Sequence, residues 1–168
     1  MRVAVTGSAG LIGRATTRIA AERGHEVTPV DRAHGIDILD LDRLAREVKG
    51  CDAVIHLAGK LGTSELFDAA GMAILVNVHG TLNVLRTATG ADAAYVGITV
   101  PDPGWPSVYQ ATKLAATRLA LAFHHHHKLP VTHLKTYNAF GPGQAHGPGH
   151  PQKIVPAFAS ASWAGLPM

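Results

Sequence analysis

The sequence predicts an α/β fold in which a doubly wound parallel sheet carries helices on both faces. Short runs of β-branched residues alternate with longer Ala- and Leu-rich stretches along the 168 residues, and such alternation is typical of parallel strands joined by helices. Hydrophobic residues make up 46% of the chain and charged residues 16%, as in ordinary globular proteins. The length suits one core, so we expect residues 1–168 to form a single domain.

The individual elements follow from local patterns. β-branched runs predict strands at residues 2–6, 26–30, 53–58, 93–99 and 131–136, with a short extended piece at 36–38. Apolar residues at helical spacing predict helices at residues 11–23, 40–49, 65–89, 107–127 and 152–164. Gly24 is a stop signal for the first helix, and Gly71 could break the third. Pro29 weakens the case for an inner position of the second strand.

Composition excludes several classes of function. The formal net charge is +3 and is spread along the chain without a Lys/Arg run, so nothing predicts nucleic-acid binding. No apolar run approaches the ~20 residues of a membrane span, and no signal peptide is recognisable. Cys51 is the only cysteine, which excludes an internal disulfide and suits a reducing compartment. We therefore expect a cytoplasmic protein with neither a membrane nor a nucleic-acid partner.

The sharpest local signal lies between the first strand and the first helix, where Thr6–Gly13 reads TGSAGLIG. Its first glycine allows a tight turn, the second lets the backbone approach a diphosphate, and the third lets helix and strand pack closely. The helix N-terminus offers free amides to the phosphates. The pattern predicts a Rossmann-like dinucleotide-binding loop; a glycine turn without a ligand is the alternative. We expect the cofactor to contact Gly7, Ala9, Gly10, Leu11, Ile12 and Gly13.

Asp31 ends the second predicted strand, 18 residues after Gly13. A carboxylate at this place can accept both ribose hydroxyls of NAD and repels the 2′-phosphate of NADP. An ordinary strand-end Asp that caps the next turn is the alternative. Arg32 follows directly and could accommodate NADP, so the sequence favours NAD as the cofactor and leaves NADP as the weaker option.

Tyr109 and Lys113 are spaced by four residues, which places both on one face of the helix predicted at 107–127. A tyrosine that acts as acid and base needs a pKa well below its usual ~10, and a lysine charge together with a positive nicotinamide ring would lower it. A solvated helix face is the alternative. Thr99, at the end of the preceding strand, is the candidate hydroxyl facing the substrate, and a simple backbone turn is the alternative for it.

Together these residues resemble the extended short-chain dehydrogenase/reductase family, of the UDP-glucose 4-epimerase-like kind, over essentially the whole chain. Residues 6–13 match its glycine motif, Tyr109 and Lys113 match its catalytic pair, and Thr99 stands at its Ser/Thr position. Asn138 matches the residue that contacts the diphosphate of a sugar nucleotide. The resemblance implies further cofactor contacts from four other segments, namely from Asp37, Ile38, Leu57, Ala58, Gly59, Asn77 and Tyr137.

By this resemblance the protein is expected to be an NAD-dependent sugar-nucleotide epimerase. NAD would take a hydride from a sugar carbon as Tyr109 removes the hydroxyl proton, while Lys113 lowers the tyrosine pKa and Thr99 bonds the hydroxyl. A sugar-nucleotide dehydratase, decarboxylase or ketoreductase is one alternative, and a non-catalytic NAD-binding sensor or structural subunit is another. Family members commonly dimerise through the helices after Asn77 and around Tyr109, so a homodimer is an open option.

The chain departs from that family in three places. Nine residues separate Thr99 from Tyr109, a shorter interval than is usual, so the substrate side of the pocket could be open or reshaped. The strand end Thr99-Val100-Pro101 lacks the Thr-Asp-Glu of sugar dehydratases, which favours an epimerase. The sequence ends at Met168, where the family's smaller C-terminal region would begin, so we expect that substrate-binding region to be missing or truncated.

Histidines are concentrated in two segments. His124–His127 form a run at the end of the long helix, where consecutive side chains point in different directions and cannot all ligate one metal. We interpret this run as a solvated helix end beside the negative end of the dipole and expect no metal site. The irregular Gly/Pro/His segment 141–151 is interpreted as a ligand-facing loop rather than a linker, where His146 and His150 could contact an anionic substrate.

Overall fold

Five strands form the centre of the protein. The computed structural model describes residues 1–62, 64–101, 106–145, 147, 150 and 153–167. The strands are β1 Arg2–Thr6, β2 Glu26–Val30, β3 Ala53–His56, β4 Ala94–Thr99 and β5 Val131–Lys135. They pair in parallel in the order β2-β1-β3-β4-β5. The predicted α/β fold class is therefore confirmed.

Helices connect these strands. The α-helices in the described part of the chain are α1 Leu11–Glu22, α2 Leu41–Val48, α3 Ala70–Ile74, α4 Thr81–Gly90, α5 Val108–His127 and α6 Ile154–Trp163. A π-helical turn, Leu75–Gly80, joins α3 to α4 without a break. Within the helix predicted at 65–89, Ser64–Leu66 form a 3₁₀ turn and residues 67–69 form a turn, so α3 begins only at Ala70 and the interruption lies just before Gly71.

Residues 36 and 37 belong to no helix or strand and residues 38–39 form a turn, so the short extended piece expected at 36–38 does not pair with the sheet. The Asp37 carboxylate accepts the amide of Leu39 at 3.0 Å, and this local bond closes the turn. Ile36 and Ile38 both point into the core. Burial of these two side chains, and not strand pairing, explains the apolar spacing in this segment.

The core lies between the sheet and its helices. Leu44, Val54 and Leu85 are among its largest fully buried side chains, and each is worth ~1.5–3 kcal/mol relative to an exposed position. β2 lies at the edge of the sheet. An edge strand tolerates Pro29, which has no amide to donate.

The strand order reverses beside β1. The chain runs from β1 to β2 on one side and then crosses to β3 on the other side. In parallel α/β sheets the crevice beyond the carboxyl ends of such a strand pair is the usual ligand site. β1 and β3 end at Thr6 and His56, so the glycine loop begins at this crevice.

Candidate functional site

The loop after β1 depends on its glycines. Gly7 has a φ of +72°, and its amide donates to the Val30 carbonyl at 2.8 Å. A Cβ on Gly7 would lie 2.6 Å from the Ala58 amide nitrogen, and one on Gly13 would overlap the Gly7 carbonyl oxygen. No side chain fits at either position, so the loop packs directly against the segment that follows β3.

Free amides stand where α1 begins. Gly10 is the N-cap of this helix and no side chain caps it, while the Gly10 amide itself donates to the Gly7 carbonyl at 3.0 Å. Among the residues that the structure describes, no acceptor is recorded for the amides of Leu11 and Ile12. Two free amides at the positive end of a helix suit an anion such as a diphosphate.

Asp31 fixes the glycine loop as well as the turn after β2. One carboxylate oxygen accepts the amide of Ala9 at 3.1 Å, and the other accepts the amide of Ala33 at 3.0 Å. The Ala9 amide is thus bonded inside the protein, although the sequence suggested it as a cofactor contact. Each Asp31 oxygen keeps a lone pair for a further donor such as a ribose hydroxyl. Arg32 next to it is exposed.

Ile38 faces the protein interior. Its side chain is 5% exposed and occupies the space that a Cβ on Gly80 would need. The Asn83 side-chain amide donates to the Ile38 carbonyl at 3.0 Å. Asp37 is half-buried and caps its own turn. Of the two predicted cofactor contacts Asp37 and Ile38, only Asp37 has a partly exposed side chain.

The Thr6 hydroxyl organises the end of β3. It accepts the amides of Leu57 and Ala58, each at 3.2 Å, and lies 2.7 Å from Nδ1 of His56. The Leu57 amide also donates to the Thr6 carbonyl at 3.1 Å, whereas the Ala58 amide is bonded to the hydroxyl; β3 ends at His56 and not at Ala58 as predicted. These bonds also hold the segment that contacts Gly7.

The same histidine is held in one protonation state. Its Nε2 lies 2.9 Å from the Thr81 hydroxyl, whose hydrogen is donated to the Asn77 carbonyl at 2.7 Å. Nε2 must therefore donate, and Nδ1 accepts from Thr6, which describes a neutral imidazole. Burial, and after it the Lys113 charge, lowers the pKa of His56 to about 3. The buried chain of bonds from Thr6 to Asn77 thus stays intact at neutral pH.

The Asn77 side chain ties the π turn to α5. Its Oδ1 accepts the Lys60 amide at 2.7 Å, and its Nδ2 donates to the Lys60 carbonyl and to the Thr112 hydroxyl, both at 3.0 Å. Thr112 in turn donates to the Tyr109 carbonyl at 2.9 Å. Asn77 therefore holds Lys60 beside the start of α5, and its contact with the cofactor stays a prediction.

α5 carries the Tyr–Lys pair in its first turns. Ser107 caps the helix by accepting the amide of Gln110 at 3.1 Å. Lys113 is 7% exposed, and burial lowers its pKa to about 8; no partner of its ammonium is recorded within the described chain. Burial raises the pKa of the Tyr109 phenol. The lysine charge by itself thus does not produce the lowered tyrosine pKa expected from the sequence.

Thr99 contacts α5 further along the helix. The Thr117 hydroxyl lies 3.0 Å from Thr99 Oγ1 and 2.9 Å from the Lys113 carbonyl; the carbonyl can only accept, and the two hydroxyls bond to each other. Thr117 follows Tyr109 by eight residues, about 12 Å along the helix axis. The structure thus brings Thr99 to Thr117, and the catalytic role of Thr99 stays a prediction.

The segment after β5 is open. Tyr137 is 76% exposed and Asn138 is exposed beside it. Both are available to a ligand, as is the exposed His150, whereas His146 lies outside the described residues. In the run at the end of α5, His124 Nδ1 lies 2.8 Å from the Leu129 carbonyl.

Two negative findings concern the described residues only. They hold no group of three His, Cys, Asp or Glu side chains placed to bind a metal. None of their helices combines the length and the apolar character needed to cross a membrane.

Sequence reasoning missed the residues that support the site from behind. Thr6 opens the glycine motif and Thr81 lies one helical turn after Asn77, but neither position reveals the hydrogen bonds of its hydroxyl. Thr112 and Thr117 carry no signal beyond lying near Lys113 in sequence, because their partners come from other elements. Arg14 also went unnoticed: it donates to the Ala9 carbonyl at 2.7 Å.

Comparison with known proteins agrees with this geometry. Residues 3–166 match the sequence model of the family described as NAD dependent epimerase/dehydratase. The chain belongs to the NAD-dependent epimerase/dehydratase family. Two dTDP-glucose 4,6-dehydratases are similar to it. That of Streptomyces niveus is 29% identical over 203 residues, covering 94% of this chain and 58% of that protein, and that of Streptomyces griseus is 32% identical over 156 residues, covering 83% and 45%.

Solved structures of other proteins share the fold of this NAD-dependent epimerase/dehydratase family member. DesIV, a dTDP-glucose 4,6-dehydratase from Streptomyces venezuelae solved with NAD, matches with a TM-score of 0.84 at 28% identity, over 98% of this chain and 63% of that one. A Thermus thermophilus UDP-glucose 4-epimerase solved with NAD matches with a TM-score of 0.84 at 24% identity, over 100% and 64%, and supports the fold alone. The chain spans less than two thirds of these relatives.

Proposed function

We propose that the protein is an NAD-dependent sugar-nucleotide epimerase. The observation that carries this proposal is the buried Lys113, without a recorded anionic partner in the described chain, one turn after Tyr109. A buried ammonium is unfavourable unless a ligand compensates it, and hydroxyl oxygens of a nicotinamide ribose are suitable acceptors. The sugar-nucleotide part rests on the likeness to proteins whose names include dTDP-glucose.

The glycine loop fits the proposed cofactor. Gly7 and Gly13 have no room for a side chain, which lets the loop and the start of α1 pack closely, and the free amides of Leu11 and Ile12 would bind a diphosphate. Asp31 would accept the ribose hydroxyls, for which it keeps free lone pairs. NAD, when bound, supplies a hydride acceptor at the sugar carbon.

Residues of this chain would accept the proton of the sugar hydroxyl and later return it. Tyr109 takes the proton of the sugar hydroxyl as a phenolate and returns it later in the cycle. Lys113 stabilises that phenolate by its charge and bonds the nicotinamide ribose. Thr99 hydrogen-bonds the substrate hydroxyl, for which its own hydroxyl keeps an acceptor site beside its bond with Thr117. Asn138 binds the sugar-nucleotide diphosphate.

A dehydratase is the second candidate, because similar curated proteins are named dTDP-glucose 4,6-dehydratases. Water elimination needs an acid and a base beside the Tyr–Lys pair. The strand end here offers Val100 and Pro101 after Thr99, and neither can transfer a proton. This difference favours epimerisation. Mass spectrometry of the product from UDP- and dTDP-glucose separates the two, since a dehydratase product is lighter by one water.

Tyr109→Phe tests the proposed mechanism. We expect it to lower turnover of the sugar nucleotide by at least ~100-fold, while the NAD affinity measured by calorimetry stays within about threefold, because the phenol hydroxyl is one contact among many. Tyr95→Phe, which removes another buried phenol hydroxyl, serves as the control and should keep its turnover. Unchanged turnover in Tyr109→Phe would contradict the mechanism. Binding of NAD with no turnover by the wild type would favour the non-catalytic alternative.

We propose further that the protein forms a homodimer and is located in the cytoplasm. Helices α3 and α5 and the π turn leave an open apolar depression of about 410 Å³ lined by Ala70, Ile74, Val78, Val108, Ala111, Thr112 and Ala115. A second copy could cover this face, because apolar surface of this kind is stabilised by burial. The single cysteine, Cys51, is buried, which is compatible with a reducing compartment.

A further inference from the structure

Arg14 joins the glycine loop to a loop 129 residues further along the chain than Arg14 itself. Its Nη1 donates to the Ala9 carbonyl in the glycine loop at 2.7 Å, and its Nη2 donates to the Gly143 carbonyl at 3.1 Å. Gly143 has a φ of +78°, and a Cβ there would lie 3.2 Å from Nη2. The backbone at this glycine is therefore shaped to receive the guanidinium.

The charge of Arg14 has no recorded carboxylate partner among the described residues, whereas Arg18 one turn later pairs with Glu22 at 2.8 Å. The guanidinium therefore keeps its positive charge beside the loop whose Leu11 and Ile12 amides are free. An anion bound at those amides would attract Arg14 and reinforce its bond to Ala9.

The second loop bonded by Arg14 forms the wall of a cavity. Residues 140–144 and α6 line an open cavity of about 350 Å³, with Phe140, Gln144, Val155 and Trp163 in the lining. The other hydrogen bonds recorded for 141–144 in the described chain stay inside the loop, from the Gln144 amide to Gly141 and from its side chain to Ala139. Arg14 is thus the recorded hydrogen-bond tether between this loop and the sheet-and-helix body.

We propose that Arg14 is a positioning residue that transmits occupancy of the glycine loop to the loop 141–144, so that dinucleotide binding orders the cavity wall. This inference rests on the proposed binding of NAD at the glycine loop. A guanidinium suits the task because its planar fork can hold two acceptors at once, which the single ammonium of lysine does less well. By linkage, a ligand in the cavity then binds more tightly when the dinucleotide is present.

Hydrogen–deuterium exchange of the amides in residues 141–145 tests the inference, with and without saturating NAD. In the wild type we expect NAD to slow their exchange several-fold. In Arg14→Lys the NAD affinity stays within about twofold but the protection of 141–145 is lost. In Arg14→Gln the protection is lost and the affinity falls about two- to fivefold. Arg18→Gln, an exposed arginine on the same helix without a loop contact, is the matched control and behaves as the wild type.

The outcomes separate this inference from the proposed function. Equal protection of 141–145 by NAD in the wild type and both Arg14 variants would overturn it, as would NAD binding that leaves these amides unprotected in the wild type. A wild-type chain that does not bind NAD in calorimetry would instead refute the proposed cofactor. Circular dichroism of each variant confirms folding, which we expect to be retained because Arg14 is exposed.

Discussion

Burial shifts the pKa values of Lys113 and Tyr109 in opposite directions. Burial disfavours the charged form of each group, so it lowers the pKa of the lysine to about 8 and raises that of the tyrosine. A lysine near its titration point and a neutral phenol are unfavourable partners for chemistry until a ligand adds charge or hydrogen bonds. The site is therefore built for the complex with its cofactor rather than for the stability of the free chain.

Lys113→Met should stabilise the cofactor-free protein. The folded pKa of about 8 lies below the usual 10.5, so the unfolded state binds the extra proton between these values and stability rises with pH there. At pH 7 the buried charge is a cost, and we expect its removal to raise the free energy of unfolding by roughly 1–3 kcal/mol. Urea unfolding at pH 7 and pH 10 measures both effects. A less stable variant at pH 7 would show that the ammonium has an internal partner.

His56 should make the fold sensitive to acid. Its folded pKa of about 3 lies below the usual 6.5, so its contribution to stability is complete above pH 6.5 and is lost as the pH falls towards 3. The slope contributed by one such group approaches ~1.4 kcal/mol per pH unit. Unfolding free energies from pH 7 to pH 4 should fall less steeply in His56→Asn than in the wild type. The exposed His34→Asn is the control, and an equal slope in all three proteins would exclude His56.

At the scale of elements, the π turn and the glycine loop decide the geometry of the site. In the π turn, the Asn77 side chain donates to α5 while the Asn77 carbonyl accepts the Thr81 hydroxyl. Turns of this kind are frequently found at functional sites. A sequence predicts the helix there from its apolar spacing. It does not predict the π turn, because one extra residue per turn follows from the contacts that the turn makes with β3 and α5.

Two helical glycines should respond in opposite ways to alanine. In Gly13→Ala the new Cβ meets backbone atoms of Gly7 and Ser8, so either α1 or the glycine loop must move. We expect a loss of at least ~2 kcal/mol in stability and of measurable NAD binding. Gly71→Ala meets nothing within 4 Å and should be stabilised by up to ~1 kcal/mol. Thermal unfolding and NAD calorimetry of both variants provide the measurement, and retained NAD affinity in Gly13→Ala would contradict the packing argument.

In the molecule as a whole, two of the described surfaces expose several large apolar side chains each. One is the face around Ile74 on α3 and the π turn. The other is α6, in which the structure records no buried residue and Trp163 is 96% exposed. The similar dehydratases extend well beyond the length of this chain. Surfaces of this kind are typical of places where another chain segment or subunit packs.

Ile74→Glu should separate the proposed dimer. Ile74 is 54% exposed and lines the depression on α3, whereas Phe158 on α6 is 53% exposed and lies outside it. A charge at position 74 would be buried without a partner in the dimer, at a cost of several kcal/mol, so we expect the mass from light scattering to halve. Phe158→Glu, the matched control, should remain a dimer. A wild-type chain that is monomeric at high concentration would remove the proposal.

The sequence by itself determined what depends on neighbours along the chain. Strand and helix periodicity, the glycine loop after β1, and the four-residue spacing of Tyr109 and Lys113 are local, and they were sufficient for the fold class and the family. Only the tertiary structure decided which groups meet across elements: the Asp31 carboxylate with the Ala9 amide, Thr99 with Thr117, and Arg14 with Gly143. Such pairings depend on how helices pack on the sheet, because hydrogen bonds form wherever packing brings a donor to an acceptor, whatever their distance in sequence.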